Sequence, residues 1–288
     1  MSEVFFPDGE WEHGRSQAWQ SDLLSRAAEA LVAFGSIGTV VIHQGRLVFG
    51  VGAIDEKVLI RSVRKSILSS LIGIEVERGS IRLDATMEEL EMDDVQGLTK
   101  AERQATVRHL LQARSCIYHP ALAESKAMTE AKPFRGSQAP GSIWHYNNWD
   151  FNALGTIYEQ ATGRSVYDGV MIDVASRIGM QDFEPSDGSY MRGPESKHPA
   201  YHMRMTARDL ARFGWLYLNG GKWVGLQVVP GEWVRDSVAA HTFSGEGGYD
   251  YMFWTTGHNG EAQNQRPSKN TASFFRHSGI SLTEHTVK

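Results

Sequence analysis

Ser62 and Lys65 stand one helical turn apart at the head of an apolar run: Ser62-Val63-Arg64-Lys65, then Ser66-Ile67-Leu68-Ser69-Ser70-Leu71-Ile72. The run predicts a helix that ends near Glu77-Arg78-Gly79, where glycine can take a left-handed position. Residues i and i+3 of a helix share a face, with Cβ atoms about 5–6 Å apart. Any fold of this chain therefore has to present this hydroxyl and this amine together. A serine becomes a useful nucleophile when a base takes its proton. A lysine can be that base only when neutral, which requires burial or nearby positive charge. The N–H groups at a helix start also favour a developing oxyanion. The chain contains no second S-x-x-K.

Two later segments supply the remaining groups such chemistry needs, in the order it needs them. Tyr146-Asn147-Asn148 puts a phenol and an amide side by side in sequence. A tyrosine beside a lysine ammonium has a lowered pKa and can relay a proton to a leaving group. An asparagine two residues on can bond the lysine and a substrate carbonyl. Tyr217-Leu218-Asn219 fits the same Y-x-N pattern but ends an apolar helix, and we read it as core. His277-Ser278-Gly279 follows a predicted strand, Ala272 to Arg276, where small residues let a substrate approach the backbone.

The 288 residues suffice for one large or two moderate domains, and 41% hydrophobic with 22% charged residues is ordinary for a globular protein. A formal charge of −5 with no basic block gives no footing for nucleic-acid binding. The one cysteine, Cys116, excludes an intrachain disulfide. No signal peptide and no run long enough for a membrane span is seen, so the expected compartment is the cytoplasm.

The patterning gives a helix over 17–34, a hairpin from Ile37–His43 and Arg46–Gly52, and then the Ser62 helix. Further helices are predicted over 106–111, 151–162, 168–179, from Thr206 to Leu218, and over 229–240. Lys132–Gly141 and Glu184–Ala200, rich in proline, read as loops, and Tyr249–Thr255 as strand. The expectation is an α+β fold: an antiparallel sheet flanked by helices (1–79 and 200–288) with an inserted all-helical lobe (80–199).

These motifs resemble the serine β-lactamase and penicillin-binding-protein superfamily. The branch is that of class C β-lactamases, family VIII esterases and 6-aminohexanoate-dimer hydrolases, where Y-x-N replaces S-D-N. The likeness extends through Leu71-Ile72-Gly73-Ile74, Ala105 to Leu111, Pro140-Gly141, Phe151 to Gly155, and Met205 to Gly214. It implies a β-lactamase/transpeptidase-like fold and an acyl-enzyme serine hydrolase. Ser62 is then the nucleophile, and Lys65 and Tyr146 share base and acid duties. Asn148, His277, Ser278 and Gly279 bind substrate, and the N–H groups of Ser62 and Ile280 form the oxyanion hole. The implied partner is a small ester or amide; a homodimer is left open. No cofactor or metal is expected: H-E-x-x-H, P-loop, G-x-G-x-x-G and a cysteine cluster are all absent, as is G-x-S-x-G.

Three departures from the family shape the expectation. His277 replaces the usual lysine of the third motif and is a weaker anchor for a carboxylate, which favours esters or small amides over β-lactams or D-alanyl peptides. Ser115-Cys116 stands where relatives often carry Ser-Gly; Cys116 reads as a small buried residue, not a nucleophile. Only nine residues follow Gly279, where relatives continue through two strands and a helix. The C-terminal strands are thus expected to be incomplete, leaving a weakly active chain or one completed by a partner, with a non-catalytic binding module as the alternative. Among other candidates, His198 and His202 lack a carboxylate in zinc register. His145 either packs as an aromatic or lines the cleft; Trp144, Trp149, Trp215, Trp223, Trp233 and Trp254 are expected to fill core and inter-lobe space, with a pocket wall beside the tyrosine as the alternative for Trp144 and Trp149. Arg64 either faces solvent or depresses the Lys65 pKa.

Overall fold

The computed structural model describes residues 5–14, 21–239, 242–243 and 248–255. Helix α1 (Ser21–Ala33) precedes an antiparallel hairpin of β1 (Gly38–His43) and β2 (Arg46–Gly52). The hairpin follows from β-branched Thr39, Val40, Val41 and Ile42 and from the Gln44-Gly45 turn, both of whose residues have positive φ (50° and 78°). A Cβ on Gly45 would lie 1.9 Å from the Phe5 carbonyl oxygen, so only glycine fits. Next come β3 (Val58–Leu59) and α2 (Val63–Glu77), the predicted helix with the predicted end: Gly79 has φ 78°.

Residues 80–199 hold α3 (Val107–Leu111), α4 (Lys126–Ala131) and α5 (Asn148–Thr162). After these, α6 (Val166–Gly169), a π-helix (Val170–Ala175) and α7 (Ser176–Ile178) follow one another without a break up to Gly179. Here the structure corrects the sequence reading: Glu184–Ala200 is not a loop. Pro185 opens a short 3₁₀ turn, and the chain then forms β4 (Gly188–Gly193) and β5 (Ser196–Met205). Pro194 lies in the turn between them. Pro199 is tolerated inside β5 because the β4 register is irregular there, between Met191 and Gly193, and β3 pairs only at Arg204 and Met205.

Thr206 caps α8 (Ala207–Leu218) by accepting from the Asp209 N–H. The small hairpin of β6 (Lys222–Trp223) and β7 (Leu226–Gln227) leads to α9 (Gly231–Val238). Strands β8 (Thr242–Phe243), β9 (Gly248–Asp250) and β10 (Phe253–Thr255) follow, so Tyr249–Thr255 is a hairpin with Tyr251 and Met252 at its turn. All the strand-to-strand pairings described are antiparallel, and β5 is the middle strand of the β3-β5-β4 sheet. The predicted strand Ala272–Arg276 lies outside the described residues.

Helix α2 runs through the middle of the molecule and touches α5, α9, β5 and the π-helix. Its apolar residues Ile67, Leu68, Leu71 and Ile72 are at most 1% exposed. Three of its serines find partners in this buried setting: Ser66 Oγ donates to the Met252 carbonyl, Ser70 Oγ pairs with the Tyr217 hydroxyl at 2.8 Å, and Ser69 accepts from Trp233 Nε1. Tyr217 is therefore core, as its helix pattern indicates. Gly73 lets α9 approach: a Cβ there would sit 2.4 Å from the Trp233 ring. Gly73→Ala is expected to cost about 2–3 kcal/mol through overpacking, read as a lower midpoint with an unchanged slope in urea denaturation.

Candidate active site

The chain enters the site from β3. Ile60 N–H donates to the Met203 carbonyl, extending the β3–β5 pairing by one residue. Arg61 then adopts φ 49°, a left-handed conformation uncommon for a residue with a Cβ, and redirects the chain into α2. Ser62 has helical dihedrals and its hydroxyl makes no cap bond with the backbone. The hydroxyl is left to Lys65: Nζ lies 3.1 Å from Ser62 Oγ. The same Nζ is 2.8 Å from the Tyr146 hydroxyl. The hydroxyl, amine and phenol thus form one connected group, although Tyr146 is 81 residues away in sequence.

Tyr146 is held by the segment around it. Asn147 caps α5, its Oδ1 accepting from Trp149 N–H, while its Nδ2 donates to the Ile117 carbonyl at 2.6 Å. Asn148 Nδ2 donates to the Ala123 carbonyl at 2.8 Å, and Asn152 Nδ2 to the Leu122 carbonyl at 3.1 Å. Three asparagines at the start of α5 thereby fasten the strap 117–123 beside the site. Asp150 accepts from the Ser115 hydroxyl and from Asn147 Nδ2, and burial pushes its carboxyl well above the usual carboxylate range. Cys116 is buried with φ 58°, a backbone shape that explains why glycine suits this position.

The electrostatics of the group follow from its burial. Lys65 is 3% exposed; desolvation, aided by the Arg64 charge, holds its amine well below the usual 10.5. Arg64 is itself buried, which decides between its two sequence readings. Its Nη1 donates to the Arg61 carbonyl at 2.7 Å and its guanidinium lies 5.2 Å from the Tyr201 ring. Desolvation pushes the Tyr146 phenol up to about 12, against the lowering effect of Ser62 and Arg64. This corrects the expectation of a lowered tyrosine pKa. That expectation presumed an ammonium neighbour, and the buried amine favours its neutral form.

A cavity of about 140 Å³ opens over Ser62, Lys65, Tyr146 and Asn148. Asn148 thus reaches the cleft, but its amide is bonded to Ala123 and not to Lys65. Sequence reasoning missed the other walls. Arg61 and Arg64 lie at the helix entrance, Ala123 and Met128 come from the strap and α4, and His202 comes from β5. The alternation Tyr201-Met203-Met205, all buried, was the available signal for a strand that turns His202 to the opposite face. His202 is kept mostly neutral by desolvation and by Arg64, Arg61 and Lys65.

Other candidates lie elsewhere. His198 packs edge-on against Trp149 and bonds Thr156, so it does not pair with His202. No group of three or more metal-ligating side chains occurs among the described residues. His145 packs edge-on against Tyr118. Trp149 is buried and donates to Asp94 at 2.6 Å, while Trp144 packs on Tyr249 and Trp254; neither lines the cavity. His277, Ser278, Gly279 and Ile280 lie outside the described residues. No helix among those described is long and apolar enough to cross a membrane.

The family model Beta-lactamase matches residues 24–287. Similar solved structures include a Bacillus anthracis protein assigned as a 6-aminohexanoate-dimer hydrolase (21% identity, TM-score 0.58, 78% of this chain and 66% of that one). They also include the octameric penicillin-binding protein homologue from Pyrococcus abyssi (19%, 0.59, 82% and 65%). A third is a D-stereospecific amidohydrolase from Streptomyces sp. (21%, 0.58, 81% and 82%). The chain thus spans just under two thirds of the first two, and at these identities the likeness establishes a shared β-lactamase/transpeptidase-like fold. No curated protein matches the chain.

Proposed function

The chain belongs to the beta-lactamase family, and on that basis we propose that it is a serine hydrolase working through an acyl-enzyme on a carboxylic ester or small amide. The observation that carries this is the unbroken contact from Ser62 Oγ to Lys65 Nζ to the Tyr146 hydroxyl, at 3.1 and 2.8 Å, inside one cleft.

In this reading the neutral Lys65 amine takes the Ser62 proton as Oγ attacks the substrate carbonyl carbon. The tetrahedral oxyanion forms against the Ser62 N–H at the entrance to α2, the Val63 and Lys65 N–H groups being taken by the Ile60 and Ser62 carbonyls. Lys65 is then an ammonium 2.8 Å from the phenol, and that new charge favours phenolate. Tyr146 passes its proton to the leaving oxygen or nitrogen and recovers one from Lys65. The leaving group departs with the electron pair of the scissile bond, and Ser62 remains acylated. In the second half Lys65 takes a proton from the water that attacks the acyl carbon, the acyl–Oγ bond breaks, and that proton returns through Tyr146 to Ser62 Oγ as the acid is released. Asn148 and the His277-Ser278-Gly279-Ile280 segment complete the substrate site and the oxyanion hole.

The test is intact-protein mass spectrometry after treatment with a fluorophosphonate probe. We expect one adduct, mapped to Ser62 and absent from Ser62→Ala. Absence of an adduct on the folded wild-type protein would favour a binding module. Turnover of p-nitrophenyl esters, nitrocefin and aminohexanoate dimers by the wild type then sorts ester, β-lactam and amide activity.

A further inference from the structure

Among the described residues the cleft is lined by two arginines, Arg61 and Arg64, and by no carboxylate. Inward-facing arginines elsewhere in the fold are matched. Arg78 and Arg164 both pair with Glu75 and Asp173, and Arg208 pairs with Asp182. The buried Arg212 donates to the carbonyls of Pro7, Gly9 and Ile178. Arg64, 4% exposed, shares with Arg212 an unbonded Nε and aromatic packing, but it has one carbonyl partner where Arg212 has three, and it alone of the two lines the cleft. Neither Arg61 nor Arg64 has an ion-pair partner among the described residues. A buried guanidinium without an anion is unfavourable, and an incoming carboxylate relieves that cost.

The backbone reinforces the arrangement. The left-handed turn at Arg61 aims its carbonyl at Arg64 Nη1 while its own exposed side chain lines the cleft. Both cations therefore border the space over Ser62. The remaining polar wall, His202, adds no negative charge that would oppose an anion.

We propose that Arg61 and Arg64 bind a carboxylate of the substrate, so that the preferred substrate is an anionic ester or amide with its negative charge held at the entrance to α2. This rests on the serine hydrolase reading and specifies its substrate class. It also places the anion anchor on the nucleophile's own helix entrance, away from the third motif where His277 replaces lysine.

The experiment uses matched pairs. Mono-p-nitrophenyl glutarate against p-nitrophenyl butyrate places a carboxylate on the acyl side; 4-acetoxybenzoate against phenyl acetate places it on the leaving side. We expect kcat/KM for the anionic member of one pair to exceed its neutral partner about tenfold or more, and Arg61→Gln to cut that ratio about tenfold, mainly through KM. The pair that responds identifies the side. A ratio near one, or one unmoved by Arg61→Gln, overturns the proposal while leaving hydrolysis intact. Calorimetry with glutarate needs no turnover: binding weakened about tenfold in Arg61→Gln supports the anchor, and no binding to wild type contradicts it even if every ester is inert.

Discussion

Lys65→Met is expected to lower kcat by about a thousandfold or more while leaving the protein folded and no less stable. The methionine keeps the length and apolar stem of lysine but cannot accept the Ser62 proton. The stability half of the prediction follows from the pKa. The Lys65 amine is held well below 10.5 when folded, so between the folded value and 10.5 the unfolded chain binds more protons. Stability from this group therefore rises with pH across that window, and at neutral pH the lysine disfavours the fold. Removing it is neutral or stabilising, by about 1 kcal/mol in comparable replacements of buried charge. Kinetics and urea denaturation on the same preparation check both halves. A lysine with a purely structural role gives the opposite pattern: lost stability with turnover kept. Tyr146→Phe, alone and combined with Lys65→Met, adds a second check. Two residues acting as one unit lose far less together than the product of their separate losses.

The rate is expected to climb tenfold per pH unit on the acid side, with a single-proton limb, because only the neutral Lys65 can act as base. That limb lies well below 10.5 on account of burial first and the Arg64 charge second. The alkaline limb belongs to the Tyr146 phenol, which must stay protonated to serve the leaving group and does so up to about 12. The profile of kcat/KM is thus a rise to a long plateau, without a bell centred on neutrality. Arg64→Gln removes one of the two causes that lower the lysine, so its acid limb moves to higher pH. A limb that stays in place in Arg64→Gln, or moves down, would mean that Arg64 does not act on Lys65 through charge.

The helix starts and stops were legible because their signals are local. Thr206 caps, Gly79, Gly163 and Gly179 take positive φ, and Gln44-Gly45 turns a hairpin; α5 is the exception, its start read at Phe151 where Asn147 caps a helix that begins at Asn148. The convergence of Ser62, Lys65 and Tyr146 was legible only through the order of motifs and the family likeness, since spacing alone reaches no further than the first pair. Three features were missed for different reasons. Strands β4 and β5 were hidden by Pro185, Pro194 and Pro199, each of which falls where a ladder bond is not required. His202 was assessed as a loop residue, and its place in the cleft depends on strand alternation that the loop assignment had discarded. The tyrosine pKa was given the wrong sign because burial of the phenol itself, which a sequence does not display, outweighs the lowering effects of Ser62 and Arg64.

The most direct measurement of the central claim is the mass of the enzyme quenched with acid during turnover of a p-nitrophenyl ester. The account predicts a species heavier by one acyl group, carried on the peptide containing Ser62, present in the wild type and missing from Ser62→Ala. Ester turnover that persists in Ser62→Ala, or an acyl group carried on another residue, would contradict it.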